Sequence, residues 1–349
     1  MMTPDGSTAA PTHPTASART HPNSAVRDVP PTRVVPSLRA EVETGFAKRP
    51  RELSPKHLYD ARGAELFEQI CALPEYYLTR TETALLHAHA TAIIEAARPA
   101  EIVELGAGSA RKTEILLAAA ADHAARNQAP LTFWPMDVCV SALDEAAQRL
   151  RERFPRIAVK PLAGDHTAGL SHLPARSGAR LFVFLGSTLG NFEPAGAQRL
   201  LGDIARQMGP DDRLLLGVDT VKDTATLEAA YNDAAGVTAA FNENLINVLN
   251  RELDGDLDIA GFRHRAVYNP ELQRIESYLD ATRAQTGTFA ALDASHAFAP
   301  GDSIFTEISR KFTPDSLDAD LAPAGLVRTA DFLADGNRYA LHVIARADA

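Results

Sequence analysis

The chain has 349 residues, of which 45% are hydrophobic and 23% charged, and its formal net charge is -10. That length can bury a sizeable core and leaves room for two domains. The acidic balance argues against partners recognised through a basic surface, nucleic acid and anionic membranes among them, and no apolar run approaches the roughly 20 residues of a membrane-spanning helix.

Residues 1–36 carry seven of the 22 prolines among many Ser, Thr and Ala. They hold too little apolar surface to offset ordering entropy and read as a disordered tail. No basic start with an apolar h-region is visible, so a cytoplasmic location is expected. Cys71 and Cys139 sit in apolar patterns and read as small core residues, not as a disulfide framework. A helix over AELFEQICAL, ending at Pro74, lies between two tyrosine-bearing segments, YDARG and LPEYYLTRTE.

From residue 101 apolar strands alternate with helices. EIVELGAG runs into SARKTEILLAAAADHAAR, LTFWPMDV into SALDEAAQRLRERF, and IAVKPLAGDH and LFVFLGS lead to PAGAQRLLGDIARQMG, which stops at Gly209-Pro210 before DRLLLGVDT. Strands of this kind form a parallel sheet covered on both faces. Residues 224–253 then read as a long helical region, followed by a β-rich stretch of FRHRAVYN, RIESYLDATRAQTGTF and SIFTEISRKF. The end of the chain reads as a hairpin turning at Asp335-Gly336-Asn337. The fold class is α/β: a doubly wound sheet interrupted by an inserted α+β unit.

Several strands end in chemistry. Gly106 and Gly108 follow the first strand and bring backbone close to a ligand, but Arg111 stands where a dinucleotide fingerprint needs a third glycine. That departure favours S-adenosylmethionine (SAM) over a nicotinamide cofactor. Asp137 ends the second strand, where a carboxylate can accept from both ribose hydroxyls. Asp165, beside His166, can accept from an adenine amino group, and Lys112 can reach a carboxylate. The fourth strand breaks into Gly186-Ser187-Thr188-Leu189-Gly190-Asn191, more glycine, hydroxyl and amide than a turn requires. Each acid taken singly can equally be a helix cap or a solvated loop residue; the set together points to a ligand. No His/Cys cluster has metal spacing, and no metal is expected.

YDARG, LPEYYLTRTE, ELGAGSARKT, FLGSTLGN, LLLGVDTVKD, AYNDAAGVTAAFN and TEISRKF together resemble the histidine-specific SAM-dependent methyltransferases, which make hercynine from L-histidine in ergothioneine biosynthesis. The resemblance covers roughly residues 50–349. It implies a Rossmann-like class I methyltransferase sheet, with residues 81–221 and 312–349 binding SAM and residues 37–80 and 222–311 binding substrate. It also implies that Asn191 and Tyr231 hold the amino acid end of the substrate. Tyr59 lies near the amine and the methyl-transfer path, and Tyr76 lines the imidazole pocket. Glu307 and Ser309 hydrogen-bond the imidazole, while Thr238 and Ser277 border the substrate. Gly186 and Ser187 lie between the two ligands, Ser187 on the cofactor side with Gly106, Gly108, Lys112, Asp137, Asp165 and His166. Ser277 stands where well-known members carry methionine, which opens a second reading: another aromatic amino acid, such as tryptophan, or a histidine derivative. Two readings from other classes are a nicotinamide-dependent oxidoreductase and a SAM-binding scaffold without activity. The expected partner is a small molecule, L-histidine, bound by a monomer.

Overall fold

The structure, a computed structural model, describes residues 26–349. In chain order the elements are β1 (Arg27–Asp28), α1 (Leu38–Gly45), β2 (Arg51–Glu52), α2 (Ala61–Ala72), α3 (Tyr77–Ala97), β3 (Glu101–Leu105), α4 (Thr113–Asn127), β4 (Leu131–Asp137), α5 (Val140–Arg153), β5 (Ile157–Val159), β6 (Leu162–Ala163), β7 (Arg180–Phe184), α6 (Pro194–Gln207) and β8 (Arg213–Asp219). They continue as α7 (Thr224–Tyr231), α8 (Val237–Leu253), β9 (Phe262–Asn269), β10 (Arg274–Ala281), β11 (Gln285–Phe289), β12 (Ala294–Phe298), β13 (Ser303–Arg310), α9 (Pro314–Leu321), β14 (Leu326–Leu333) and β15 (Tyr339–Arg346).

Among the described residues the large sheet runs β1-β6-β4-β3-β7-β8-β15-β14, with β5 also paired to β4. All pairs are parallel except those made by β15, which is antiparallel to both β8 and β14. The strands are apolar at nearly every position because both faces are covered. Along β7, Leu181 and Val183 join one buried cluster with α3 and α4, while Phe182 and Phe184 join the other with α6 and α9. Burying each such side chain contributes about 1.5–3 kcal/mol. The order reverses between β3 and β7, and the loops at the carboxyl ends of these strands are where open α/β sheets take ligands. This is the Rossmann-like class I methyltransferase architecture.

The second unit is a four-stranded sheet, β2-β13-β10-β9, together with α1, α2, α7, α8 and the hairpin β11–β12. It rejoins the large sheet just past β13, where Phe312 N donates to Asp219 O (2.8 Å) and Val221 N to Phe312 O (3.2 Å) at the tip of β8.

Three expectations need correction. The stretch read as a tail through residue 36 is placed from residue 26 onward: Arg27 and Asp28 pair with Leu162 and Ala163, Val29 is buried, and Thr32 N donates to Ala168 O (2.7 Å). Residues 1–25 lie outside the described residues. The single helical region over 224–253 is two helices, because Gly236 takes a left-handed φ of 73° and Asp233 caps the second by accepting from Val237 N and Thr238 N. Neither cysteine is a fully buried core residue; both are half-buried free thiols.

Candidate active site

The cofactor side is built at the ends of β3, β4 and β6. Gly106 and Gly108 have φ of 71° and 49°, left-handed conformations that glycine adopts without strain. The turn they make lets Gly106 N and Ala107 N donate to Met136 O at 2.9 and 3.0 Å. Asp137 Oδ2 accepts from Gly108 N and Oδ1 from Cys139 N, both at 2.9 Å, which fixes the carboxylate at the mouth of the turn. A side chain on Gly108 would meet nothing within 4 Å, so the space above the turn is open. Asp165 is held by Thr167, whose N and Oγ1 donate to it at 2.7 and 2.6 Å. His166 lies next to Gly106; its Nε2 is buried without a partner, and burial holds the ring neutral. A buried polar atom without a partner is costly unless a ligand supplies one.

Glu82 is the anchor at the next position. It is fully buried and accepts from Gly186 N (2.8 Å), Tyr339 Oη (2.7 Å) and Lys112 Nζ. Burial works against the Lys112 charge, but Glu82 outweighs it and the ammonium titrates above its usual range. An open turn, a ribose-competent carboxylate, an unpaired imidazole nitrogen and a fixed ammonium suit SAM, with its nucleoside and amino acid ends. Gly106, Gly108, Asp137, Asp165, His166 and Lys112 would hold it. Ser187 contributes differently: its Oγ accepts from Asp219 N (2.9 Å), tying the tip of β7 to β8.

The other side of the site depends on a close approach. A Cβ on Gly190 would lie 2.7 Å from Arg310 O and 3.1 Å from Arg310 N, so only glycine lets the turn after β7 press against β13. That contact brings Asn191 to Glu307, with Nδ2 donating to Oε1 at 3.3 Å. At the end of β13, past the bulge, Glu307 and Ser309 follow one another along one face, and Lys311 continues it. Ser309 Oγ stands 2.8 Å from Tyr231 Oη, and Lys311 Nζ donates to both at 2.9 Å while pairing with Asp219 Oδ2 at 3.0 Å. Asp219 also accepts from Tyr77 Oη (2.8 Å to Oδ2), Lys222 Nζ (2.6 Å) and Thr220 N (3.0 Å). Burial pushes Glu307 up to about 7, opposed by the Lys311 charge.

Aromatic rings wall the space. Tyr76 meets Tyr231 edge-on at 6.1 Å, Phe67 meets Tyr76 at 6.4 Å, and Tyr59 meets Phe241 at 5.3 Å. Tyr76 is buried, and burial, then neighbouring charges, raises its hydroxyl far above the usual range, whereas Tyr59 is 37% exposed at the rim. Tyr231 is raised too, by burial against the pull of Lys311. Ser277 on β10 lies directly opposite Glu307, at a bulge, and Thr238 in the first turn of α8 keeps a buried Oγ1 without a partner.

The structure thus brings Asn191, Tyr231, Glu307 and Ser309 into one cluster, with Tyr76 against it and Ser277 in register beside it. Gly106, Gly108, Asp137 and His166 form a second group, and Gly186 joins Lys112 through Glu82. Sequence reasoning did not single out Glu82, Asp219 or Lys311. Lys311 had a signal, since Glu307, Ser309 and Lys311 share the period of two of one strand face; Glu82 and Asp219 find their partners only through the fold.

The strand order and the polar groups at its carboxyl edge define a SAM-dependent methyltransferase. A family model described as "Histidine-specific methyltransferase, SAM-dependent" matches residues 38–346, and the chain belongs to that family. It is 45% identical over 293 residues to a histidine N-alpha-methyltransferase of Mycolicibacterium smegmatis, covering 84% of this chain and 90% of that one. It is 41% identical over 311 residues to the protein of the same name from Mycobacterium tuberculosis, covering 89% and 95%. Ergothioneine biosynthesis protein 1 of Neurospora crassa is 31% identical over 322 residues, which span 89% of this chain and 35% of the fungal one.

Proposed function

We propose that the protein methylates the α-amino nitrogen of L-histidine three times, giving hercynine for ergothioneine biosynthesis. The observation that carries this reading is the polar cluster across the Gly190–Arg310 contact. It sets an amide and a tyrosine hydroxyl, Asn191 and Tyr231, beside an acid and a serine, Glu307 and Ser309. One pair suits the amino acid end of histidine and the other its imidazole. Residues 37–80 and 222–311 act as the substrate-binding unit, residues 81–221 and 312–349 as the cofactor-binding unit, and a monomer carries all of these groups. Among the described residues no helix is long and apolar enough to cross a membrane; the proposed place of work is the cytoplasm.

SAM, when bound, supplies an electrophilic methyl group on a sulfonium. The remaining work falls to the chain. Asn191 and Tyr231 hold the amino acid end and thereby place the amine, and such positioning can supply about 7–11 kcal/mol of a barrier. The amine must be uncharged to present a lone pair. Neutral amide and phenol groups do not favour the ammonium as a carboxylate would, and Tyr231 stays protonated. Tyr59 likewise serves as a hydrogen-bonding hydroxyl and not as a phenolate. Phe67, Tyr76 and Phe241 shield the space from water, with Tyr59 at its exposed rim. Glu307 provides selectivity, because a side chain without a matching ring nitrogen leaves a desolvated carboxyl unpaired. Ser277 and Thr238 shape the wall beside it.

The test is to incubate the purified protein with SAM and each of the 20 amino acids and to follow products by mass. Gains of one, two and three methyls on L-histidine are expected. Transfer to tryptophan in place of histidine would overturn the substrate reading, and cofactor binding without transfer to any amine would overturn the activity.

A further inference from the structure

Lys311 has no part in the mechanism above, yet it lies fully buried at its centre. We propose that Lys311 is a positioning residue: it turns the Tyr231–Ser309 pair into a hydrogen-bond donor facing the substrate carboxylate. This rests on the histidine reading and deepens it.

The argument is one of donors and acceptors. An ammonium has three N–H groups and no lone pair. Lys311 Nζ lies 2.9 Å from Tyr231 Oη, 2.9 Å from Ser309 Oγ and 3.0 Å from Asp219 Oδ2, one oxygen for each N–H. Both hydroxyl oxygens are therefore acceptors toward the lysine. They are also 2.8 Å from each other, so one of their two protons lies between them. The remaining proton has no acceptor inside the triad and faces the pocket. The pair accordingly presents one O–H outward, next to buried positive charge. Lys311 and Lys222 share the single carboxylate of Asp219, which leaves one net positive charge in the group. Such a surface favours an anion and disfavours an ammonium. The amino acid carboxylate is the group it fits, with Tyr231 donating outward and Ser309 donating to Tyr231. Ser309 then keeps a lone pair for an imidazole N–H.

A purely structural role, as counter-ion to Asp219, explains less. Asp219 is already satisfied by Lys222, Tyr77 and Thr220 N. A lysine needed only for charge balance would not have to reach both hydroxyls.

The experiment measures binding of L-histidine and of histamine, which lacks the carboxylate, by calorimetry with S-adenosylhomocysteine present. Lys311→Met is expected to weaken L-histidine at least tenfold, histamine less than twofold, and S-adenosylhomocysteine not at all. In a Tyr231→Phe/Ser309→Ala background the same change should cost less than twofold, because no hydroxyl remains to be set. If Lys311→Met alone does not fold, Asp219→Asn/Lys311→Met removes both members of the ion pair and is held to the same pattern. Equal losses for the two ligands, no loss for either, or a tenfold loss that persists without the hydroxyls would overturn the proposal. Wild-type protein that binds no L-histidine would overturn the substrate reading itself, and this inference with it.

Discussion

Replacing Glu307 by Gln should separate what the carboxyl costs the fold from what it does for the substrate. Burial raises this group from 4.5 to about 7. The native chain therefore keeps its proton between those pH values while the unfolded chain has released it. Where the native state binds more protons, stability falls as pH rises. The contribution is nearly neutral below pH 4.5, declines through the interval, and is fully unfavourable above pH 7, where it reaches about 3 kcal/mol at 1.36 kcal/mol per pK unit. Between pH 5 and pH 8 the change is about 2.5 kcal/mol. Glutamine has nearly the same shape and does not titrate. Urea unfolding of both proteins at pH 5, 6, 7 and 8 isolates the effect, because buried histidines such as His264 and His342, whose pKa values burial lowers, cancel in the difference. The variant should gain on wild type steadily across this range, while kcat/KM for L-histidine falls. A difference in stability that stays flat from pH 5 to pH 8 would refute the claim that Glu307 is desolvated in the resting protein.

Three further outcomes follow from particular contacts. Gly190→Ala places a methyl against the backbone of Arg310; the turn must shift, at a cost of about 1–3 kcal/mol, and KM for histidine should rise while SAM affinity, read by calorimetry, changes little. Gly217→Ala would put its Cβ 2.1 Å from Glu82 Oε1. Because Glu82 holds Lys112 and Gly186 N, SAM affinity should fall in this variant, and an unchanged dissociation constant would contradict the anchor role. Tyr231→Phe removes a hydrogen bond to a charged group worth about 1.5–3 kcal/mol, so kcat/KM for histidine should drop by roughly 10–150-fold in initial-rate measurements.

The sequence was informative where one element carried the signal. The apolar strands from Glu101 to Asp219, the glycine turn at Gly106, the acids at strand ends and the terminal hairpin depend on local periodicity and turn chemistry, and they stand where the pattern placed them, except that the run IAVKPLAGDH breaks into two short strands, β5 and β6. The reading failed where a neighbour decided. Arg27 and Asp28 have no strand signal, yet an open edge at β6 gives their backbone groups partners. Residues 224–253 look like one helix, but Asp233 supplies a cap that begins a second one after Gly236.

For the site the same division holds. Composition and spacing determined on their own that this is an acidic α/β protein with polar groups at its strand ends, because side-chain period and turn geometry are properties of consecutive residues. Only the tertiary structure decided that the chain from Gly186 to Asn191 lies against Arg310 and that Lys311 meets Asp219, Tyr231 and Ser309. Apart from Ser309, which shares a strand face with Lys311, those partners are separated by tens of residues or more, and only packing the inserted sheet onto the tip of β8 makes them neighbours. The burial that raises Glu307 and works against the Lys311 charge is created by that same packing, which no single segment contains.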